Sequence, residues 1–493
     1  MSNHLFLISV LYGFSGIVYF AIAIRGILRR NELRIFDLVR LMYSFVYGVI
    51  PFVLYWRESN GERNLYFYDY GLSGLTRIYI MWFLSIAVYG LVNLAYYSVR
   101  KNSGSDISNI SDEPIDVEVF GRKLFICGVI SMIIGFITLF LWTSAYGSLG
   151  AFIRNAARIR SSRGIIFNRF AFVKQFVRIL PLAFYSLLSA FFYVRPKGIK
   201  RIGYIVLLVL AIVGNYYYFM ASDSRITIIF IGLAILSISI RHRKRKNISR
   251  YLIFAAVIGF ILLQATMLAD SFTHYVRFGE WKSVNEGFIN NFTKEFRFIV
   301  SSDMKSIKAW LSGDLKIQIG NDLITSLTSW IPDRFVPFEV PDTLWKYNTK
   351  MYGTYTGATS PSSLVSTCIY EFGLIGVLIY PLFFGLLIGF TEKFLWSKRS
   401  ETYADVYYGV LAGLFVQMVS HNQISSFVLA LFPAFLFFLI SLAVDRLIKK
   451  KEKPAEAAPI MPVAPEDDEV EEGYRRYDRY FDDPTGYEPE DDE

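Results

Sequence analysis

Lys123–Tyr146 reads KLFICGVISMIIGFITLFLWTSAY. After its first residue the run carries no charge, and it exceeds the roughly 20 residues a helix needs to cross the hydrocarbon core of a bilayer. Further apolar stretches lie at 4–26, 35–56, 74–98, 174–194, 202–220, 225–240, 251–268, 362–391, 404–422 and 424–447. A chain that is 54% hydrophobic and 17% aromatic, with its apolar residues gathered into such runs, is not a soluble domain. The expected fold is all-α, a polytopic helical membrane protein with about 11 transmembrane helices and one large extracytoplasmic loop domain. Leu5–Ile24 has no basic residue before it and no small-residue cleavage site after it, so it reads as a retained helix rather than a signal peptide. Cys127 and Cys368 both fall inside apolar runs, which argues against a disulfide framework.

Orientation follows from lysine and arginine. The connections Arg25–Arg34, Arg195–Arg201, Arg241–Arg250, Lys393–Arg399 and Lys449–Lys453 are all basic. Placing them inside puts the N-terminus outside and the C-terminus in the cytoplasm, and it accounts for much of the +9 net charge without a nucleic-acid partner. The chain then divides into membrane helices over 1–268, a large outer loop over 269–361, closing helices over 362–448 and a tail over 449–493. The tail is acidic and rich in tyrosine, a composition that reads as disorder.

One outer connection breaks the charge rule. Residues 147–173 and the helix start after them include Arg154, Arg158, Arg160, Arg163, Arg169, Lys174 and Arg178, with no acidic residue between Ala151 and Arg178. Stacked like charges cost a little in a helix, whereas a bound diphosphate would reward them, because guanidinium groups grip phosphate oxygens in pairs. A basic amphipathic helix resting on anionic membrane lipid is the other reading. The outer loop Asp270–Pro361 is too long for a plain connector. Its first half spaces Phe288, Phe292, Phe296, Ile299, Val300 and Ile307 as amphipathic helices do, which suggests helices on the membrane surface. Its second half is rich in Pro, Gly and Asp, and the whole is expected to form a lid over an outward cavity.

Two short patterns resemble a known family. Ser224-Arg225 after an outer hairpin resembles the Ser-Arg signature of the O-antigen polymerase and ligase superfamily. Thr359-Ser360-Pro361-Ser362-Ser363, followed by Tyr370-Glu371-Phe372-Gly373-Leu374-Ile375-Gly376, resembles the segment that re-enters the membrane in oligosaccharide repeat-unit polymerases of the Wzy type. The likeness extends over roughly residues 120–445. The arginine-glycine repeats of some members have no clean match. The resemblance implies a metal-independent glycosyltransferase without a cofactor in a prokaryotic plasma or inner membrane. Its substrate would be an undecaprenyl-diphosphate-linked oligosaccharide polymerised on the outer leaflet, with a chain-length regulator protein as a possible partner. A ligase that moves finished glycan to another acceptor, and a flippase or exporter of the same lipid, remain as alternatives.

Such a transfer needs a clamp for the leaving diphosphate and a base beside the acceptor hydroxyl. Arg225 opens a helix, where backbone N–H groups favour an anion, and is assigned a catalytic role. Arg158, Arg163, Arg178 and Arg277 are candidate diphosphate ligands; Arg178 sits in an apolar run before Pro181, where a charge points to function. His274 and Glu371 are candidate bases, with a salt bridge to an arginine as the other reading of Glu371. Asp223 is expected to pair with Arg225, and His421 to cap a helix. Tyr216, Tyr217 and Tyr218 fit an interfacial belt or a surface that stacks on sugars. No metal-ligand spacing is present.

Overall fold

The computed structural model describes residues 2–30, 33–62, 72–101, 116–148, 150–152, 155, 171–221, 271, 274–275, 280–281, 288–328, 331, 335–351, 361–422 and 424–451. Among these residues the regular structure is entirely helical. Eight helices are long and apolar enough to cross a membrane: Asn3–Arg30, Ile35–Ser59, Gly74–Arg100, Val117–Ser144, Lys174–Val194, Gly198–Tyr218, Leu364–Ser397 and Ile424–Ile448. The protein is therefore a polytopic helical membrane protein. The expected spans at 225–240 and 251–268 lie outside the described residues.

In chain order the helices are α1 (Ser2–Arg30), α2 (Ile35–Ser59, with a π-helical turn at Phe45–Val49), α3 (Leu72–Lys101) and α4 (Val117–Ser144). After the short turn Lys174–Val177 come α5 (Leu180–Val194), α6 (Gly198–Ala221), α7 (Phe288–Leu311), α8 (Asn321–Thr328) and α9 (Leu344–Met351). The chain closes with α10 (Leu364–Phe372), α11 (Gly376–Ser397), α12 (Thr402–Ser420) and α13 (Ile424–Lys451). Contacts divide it into two compact units, Met1–Asp445 and Arg446–Glu493.

In the first unit α4 packs along α5, α11 along α3, and α1 along α2. Gly121, Gly128 and Gly135 recur every seventh residue on α4, and a Cβ at any of them would meet Val194, Leu187 or Leu180 of α5. Small residues at that spacing let two membrane helices approach closely, which replaces the missing hydrophobic drive in lipid. Helix α12 was expected as a span over 404–422. Its tyrosines and glycines make it less apolar, and most of it is buried between α2 and α5, so it presents little surface to lipid.

Arg30, Lys123 and Asp445 mark one end of the bundle. Asp37 accepts from the Arg30 guanidinium at 2.7 and 2.5 Å and from the Arg34 backbone N–H at 3.1 Å. Glu392 of α11 takes the Phe36 N–H at 2.9 Å and the Tyr96 hydroxyl at 2.5 Å. Two orphan N–H groups at the start of α2 are thereby satisfied by carboxylates, and Lys123 pairs with Asp445 at 3.1 Å nearby. Ser362, His421 and Asn422 lie at the opposite end, where Asn422 N–H donates to the Ser362 carbonyl at 2.9 Å. Cys127 and Cys368 are both buried and unpaired.

Gly16 of α1 and Gly48 of α2 cross so tightly that a Cβ on Gly48 would sit 2.3 Å from the Gly16 Cα. Backbone cannot rotate away as a side chain can, so Gly48→Val should cost about 1–3 kcal/mol. Gly90→Ala, where the added carbon meets open space, should leave stability within about 1 kcal/mol or raise it. Thermal unfolding of the two variants in detergent measures the contrast.

Candidate functional site

A polar assembly lies where α7, residues 318–322 and residues 344–348 meet α10. Helix α7 does not rest on a membrane surface: Phe296, Ile299, Val300 and Ile307 are buried against α2, α3 and α10. Ser301, Ser302, Asp303 and Ser306 are buried with them. The stripe therefore carries polar groups that need partners in protein, not lipid.

Those partners are at the start of α10. Ser363 caps the helix, its Oγ accepting from Ser366 N–H at 3.1 Å while Ser366 Oγ accepts from Ser363 N–H at 2.8 Å. The Tyr47 hydroxyl, from α2, takes the Val365 N–H at 2.9 Å. Ser302 Oγ donates to Ser366 Oγ at 2.9 Å, and Ser363 Oγ donates to the Asp303 carboxylate. Burial pushes the Asp303 carboxyl up to about 8, against the smaller opposing effect of its serine hydrogen bonds.

Helix α10 ends at a break. Gly373 has φ +65°, a conformation only glycine adopts freely. At Gly376 a Cβ would strike the Cys368 carbonyl at 1.9 Å. The interrupted backbone is paired from outside the helix: Gln318 N–H donates to the Tyr370 carbonyl at 2.9 Å, and Gly320 N–H to Glu371 Oε2 at 2.8 Å. The Tyr370 hydroxyl donates to Asn348 Oδ1 at 2.8 Å, and Asn348 Nδ2 donates to the Pro361 carbonyl at 2.9 Å. Asp322 Oδ1 accepts from Leu344 N–H at 2.8 Å at the start of α9, and burial raises its carboxyl to about 6.

Among the sequence-predicted residues, Glu371 sits in this assembly, 2% exposed, with Oε1 lacking a hydrogen-bond partner. No described cation pairs with it. Arg178 is elsewhere, at the break between Lys174–Val177 and α5. Pro181 lacks the N–H that would pair with the Val177 carbonyl, so the helix restarts there. Arg178 Nε donates to the Tyr218 hydroxyl at 3.2 Å, and the Lys174 ammonium lies 5.4 Å from the Trp142 ring centroid. Tyr217 and Tyr218 join Trp142, Tyr146 and Phe152 in one aromatic cluster. No acidic partner approaches Lys174 or Arg178 among the described residues. His274 is half-buried, its Nδ1 3.0 Å from the Glu280 carbonyl. Arg158, Arg163, Arg225 and Arg277 lie outside the described residues, as do Asp223, Thr359 and Ser360. His421 follows α12, with Nδ1 2.9 Å from Ser420 Oγ and its ring 4.6 Å from Phe298.

Asp303, Asp322 and Asn422 were not singled out from sequence. Asp303 had a readable signal, since Phe296, Val300, Asp303 and Ile307 share one helical stripe and an acid in an apolar stripe is unusual. Among the described residues no cluster of three metal-ligating side chains occurs. No known protein family matches the chain, and neither a curated protein nor a solved structure matches it.

Asp303 holds its proton up to about pH 8 when folded, against an ordinary value of 3.8. Between those values unfolding releases a proton, so this group's contribution is complete below pH 3.8 and is lost as pH rises through 8. Asp303→Asn should flatten that decline. Melting temperatures of both proteins from pH 4 to 9 test it, and parallel curves would refute it.

Proposed function

We propose that the chain is a membrane glycosyltransferase that polymerises lipid-diphosphate-linked oligosaccharide repeat units, with Glu371 as the general base. The observation that carries this reading is the Glu371 carboxylate. It is buried at a helix break and held by Gly320 N–H through one oxygen, while the other oxygen lacks a partner. A base needs an acceptor oxygen free to take a proton from a hydroxyl. The end of the bundle carrying Arg30, Lys123 and Asp445 faces the cytoplasm in this reading, following the positive-inside rule. The α10 break and the segment 312–351 then face the outer leaflet.

In the transfer, an acceptor hydroxyl attacks the anomeric carbon of the donor sugar and its proton passes to Glu371. The bond from that carbon to the diphosphate oxygen breaks, and the leaving group departs with the electron pair. Lys174 and Arg178, cations without an acidic partner among the described residues, are suited to receive that charge. Arg225, Arg158, Arg163 and Arg277 remain candidates for the same role. A flippase is the second reading, because Asp303 is a buried carboxyl of the kind transport cycles use.

Purified protein given lipid-linked repeat units in detergent, without vesicles, separates the two. Chain growth there cannot come from transport. Wild-type protein should extend chains, and Glu371→Gln should slow extension by about 10²–10⁴-fold while single units accumulate. Absence of wild-type extension, or equal rates in both proteins, sinks the assignment.

A further inference from the structure

Four buried polar atoms on α10 and the elements that meet it have no hydrogen-bond partner among the described residues: Glu371 Oε1, Asp322 Oδ2, Asn422 Nδ2 and Trp345 Nε1. Native interiors leave few such groups, and each demands a reason. These four are linked. Glu371 binds Gly320 N–H, two residues before Asp322, and Asp322 binds Leu344 N–H, the neighbour of Trp345. The Trp345 ring lies 6.1 Å from that of His421, which precedes Asn422. The Tyr380 hydroxyl donates to Asn422 Oδ1 at 3.1 Å, with Glu371 and Asp322 both close enough to act on it electrostatically.

The chemistry of the set selects its occupant. Two carboxylate oxygens accept, whereas the amide and the indole N–H donate. A phosphate would satisfy the donors but meet two carboxylates. A metal cation would satisfy the carboxylates but leave the N–H groups bare. Hydroxyl groups donate and accept together, so a molecule that carries several can answer both kinds of atom.

We infer that Glu371, Asp322, Asn422 and Trp345 form a seat for the hydroxyl groups of a saccharide. The chemical step after binding rests on the proposed function: the seat holds the acceptor sugar, with Glu371 at the hydroxyl that reacts. Asp322, Asn422 and Trp345 are positioning residues that orient the ring.

The test is saturation-transfer NMR on the full-length protein in a detergent without a sugar headgroup, using free mono- and disaccharides as probes and inorganic phosphate as competitor. At least one saccharide should give signal, undiminished by phosphate. Asp322→Asn keeps an oxygen for Leu344 N–H but turns the free acceptor into a donor, and Asn422→Asp makes the opposite change. Each should weaken saccharide binding by about tenfold or more. Trp345→Phe, which removes only the indole N–H donor and keeps an aromatic ring, covers the case where a charge change unfolds the protein. No signal from any saccharide, or signal unchanged in folded variants, overturns the seat and leaves ordered water as the occupant. The two readings fail separately. Saccharide binding without chain growth refutes the polymerase and keeps the seat. Chain growth with wild-type KM in Asp322→Asn and Asn422→Asp refutes the seat and keeps the polymerase.

Discussion

The bonds from Gln318 N–H to the Tyr370 carbonyl and from Gly320 N–H to the Glu371 side chain are the attachment on which the arrangement of the site depends. Within hydrocarbon every peptide group must be satisfied by protein, so a membrane helix is interrupted only where other chain segments supply the missing partners. The interruption after Phe372 meets that requirement with residues some fifty positions earlier. The same bonds that permit the break therefore deliver Asp322 and α9 to it.

The buried carboxylates of the bundle fall into two kinds. At one end Asp37 and Glu392 are matched by Arg30, backbone N–H groups and Tyr96. Removing one member of such a pair costs about 3–5 kcal/mol, so these groups fix where α2 starts and how α11 meets it. At the other end Asp322 and Glu371 each keep one oxygen without a partner among the described residues, at a cost of about 1–3 kcal/mol per group. Asp303 at that same end is paired with Ser363, so the free oxygens belong to Asp322 and Glu371 in particular.

The legibility of these features in the sequence follows the range of the forces involved. Membrane spans were readable because a long uncharged run has no comparable explanation in water, and the observed helices contain or closely match the expected ones wherever the chain is described. The amphipathic character of α7 was readable as well. Its destination was not, since periodicity reports that a face is buried without reporting against what. Glu371 stood out through its neighbours Phe372 and Gly373, a local pattern. Asp322, Asn422 and Trp345 gain meaning only from hydrogen bonds spanning tens of residues, which no local window contains. Tyr217 and Tyr218 show the same limit: an aromatic pair at a helix end suits an interfacial belt, but here it closes a cluster around Trp142 and Phe152.

Charge is also segregated within the site end itself. Phe176, between Lys174 and Arg178, packs on Phe432 of α13 with ring centroids 4.8 Å apart, and α13 begins just after Asn422. Among the described residues, the cations without acidic partners and the carboxylates without cationic ones thus occupy the same end of the molecule on different helices. Left to itself a folding chain would join opposite charges, because attraction grows as the surroundings become less polar. Here the cations instead meet aromatic groups, Arg178 on the Tyr218 hydroxyl and Lys174 over Trp142. A donor with an anionic leaving group and an acceptor rich in hydroxyls make a ligand of two parts. In the proposed transfer the two sets of charge would divide such a ligand between them.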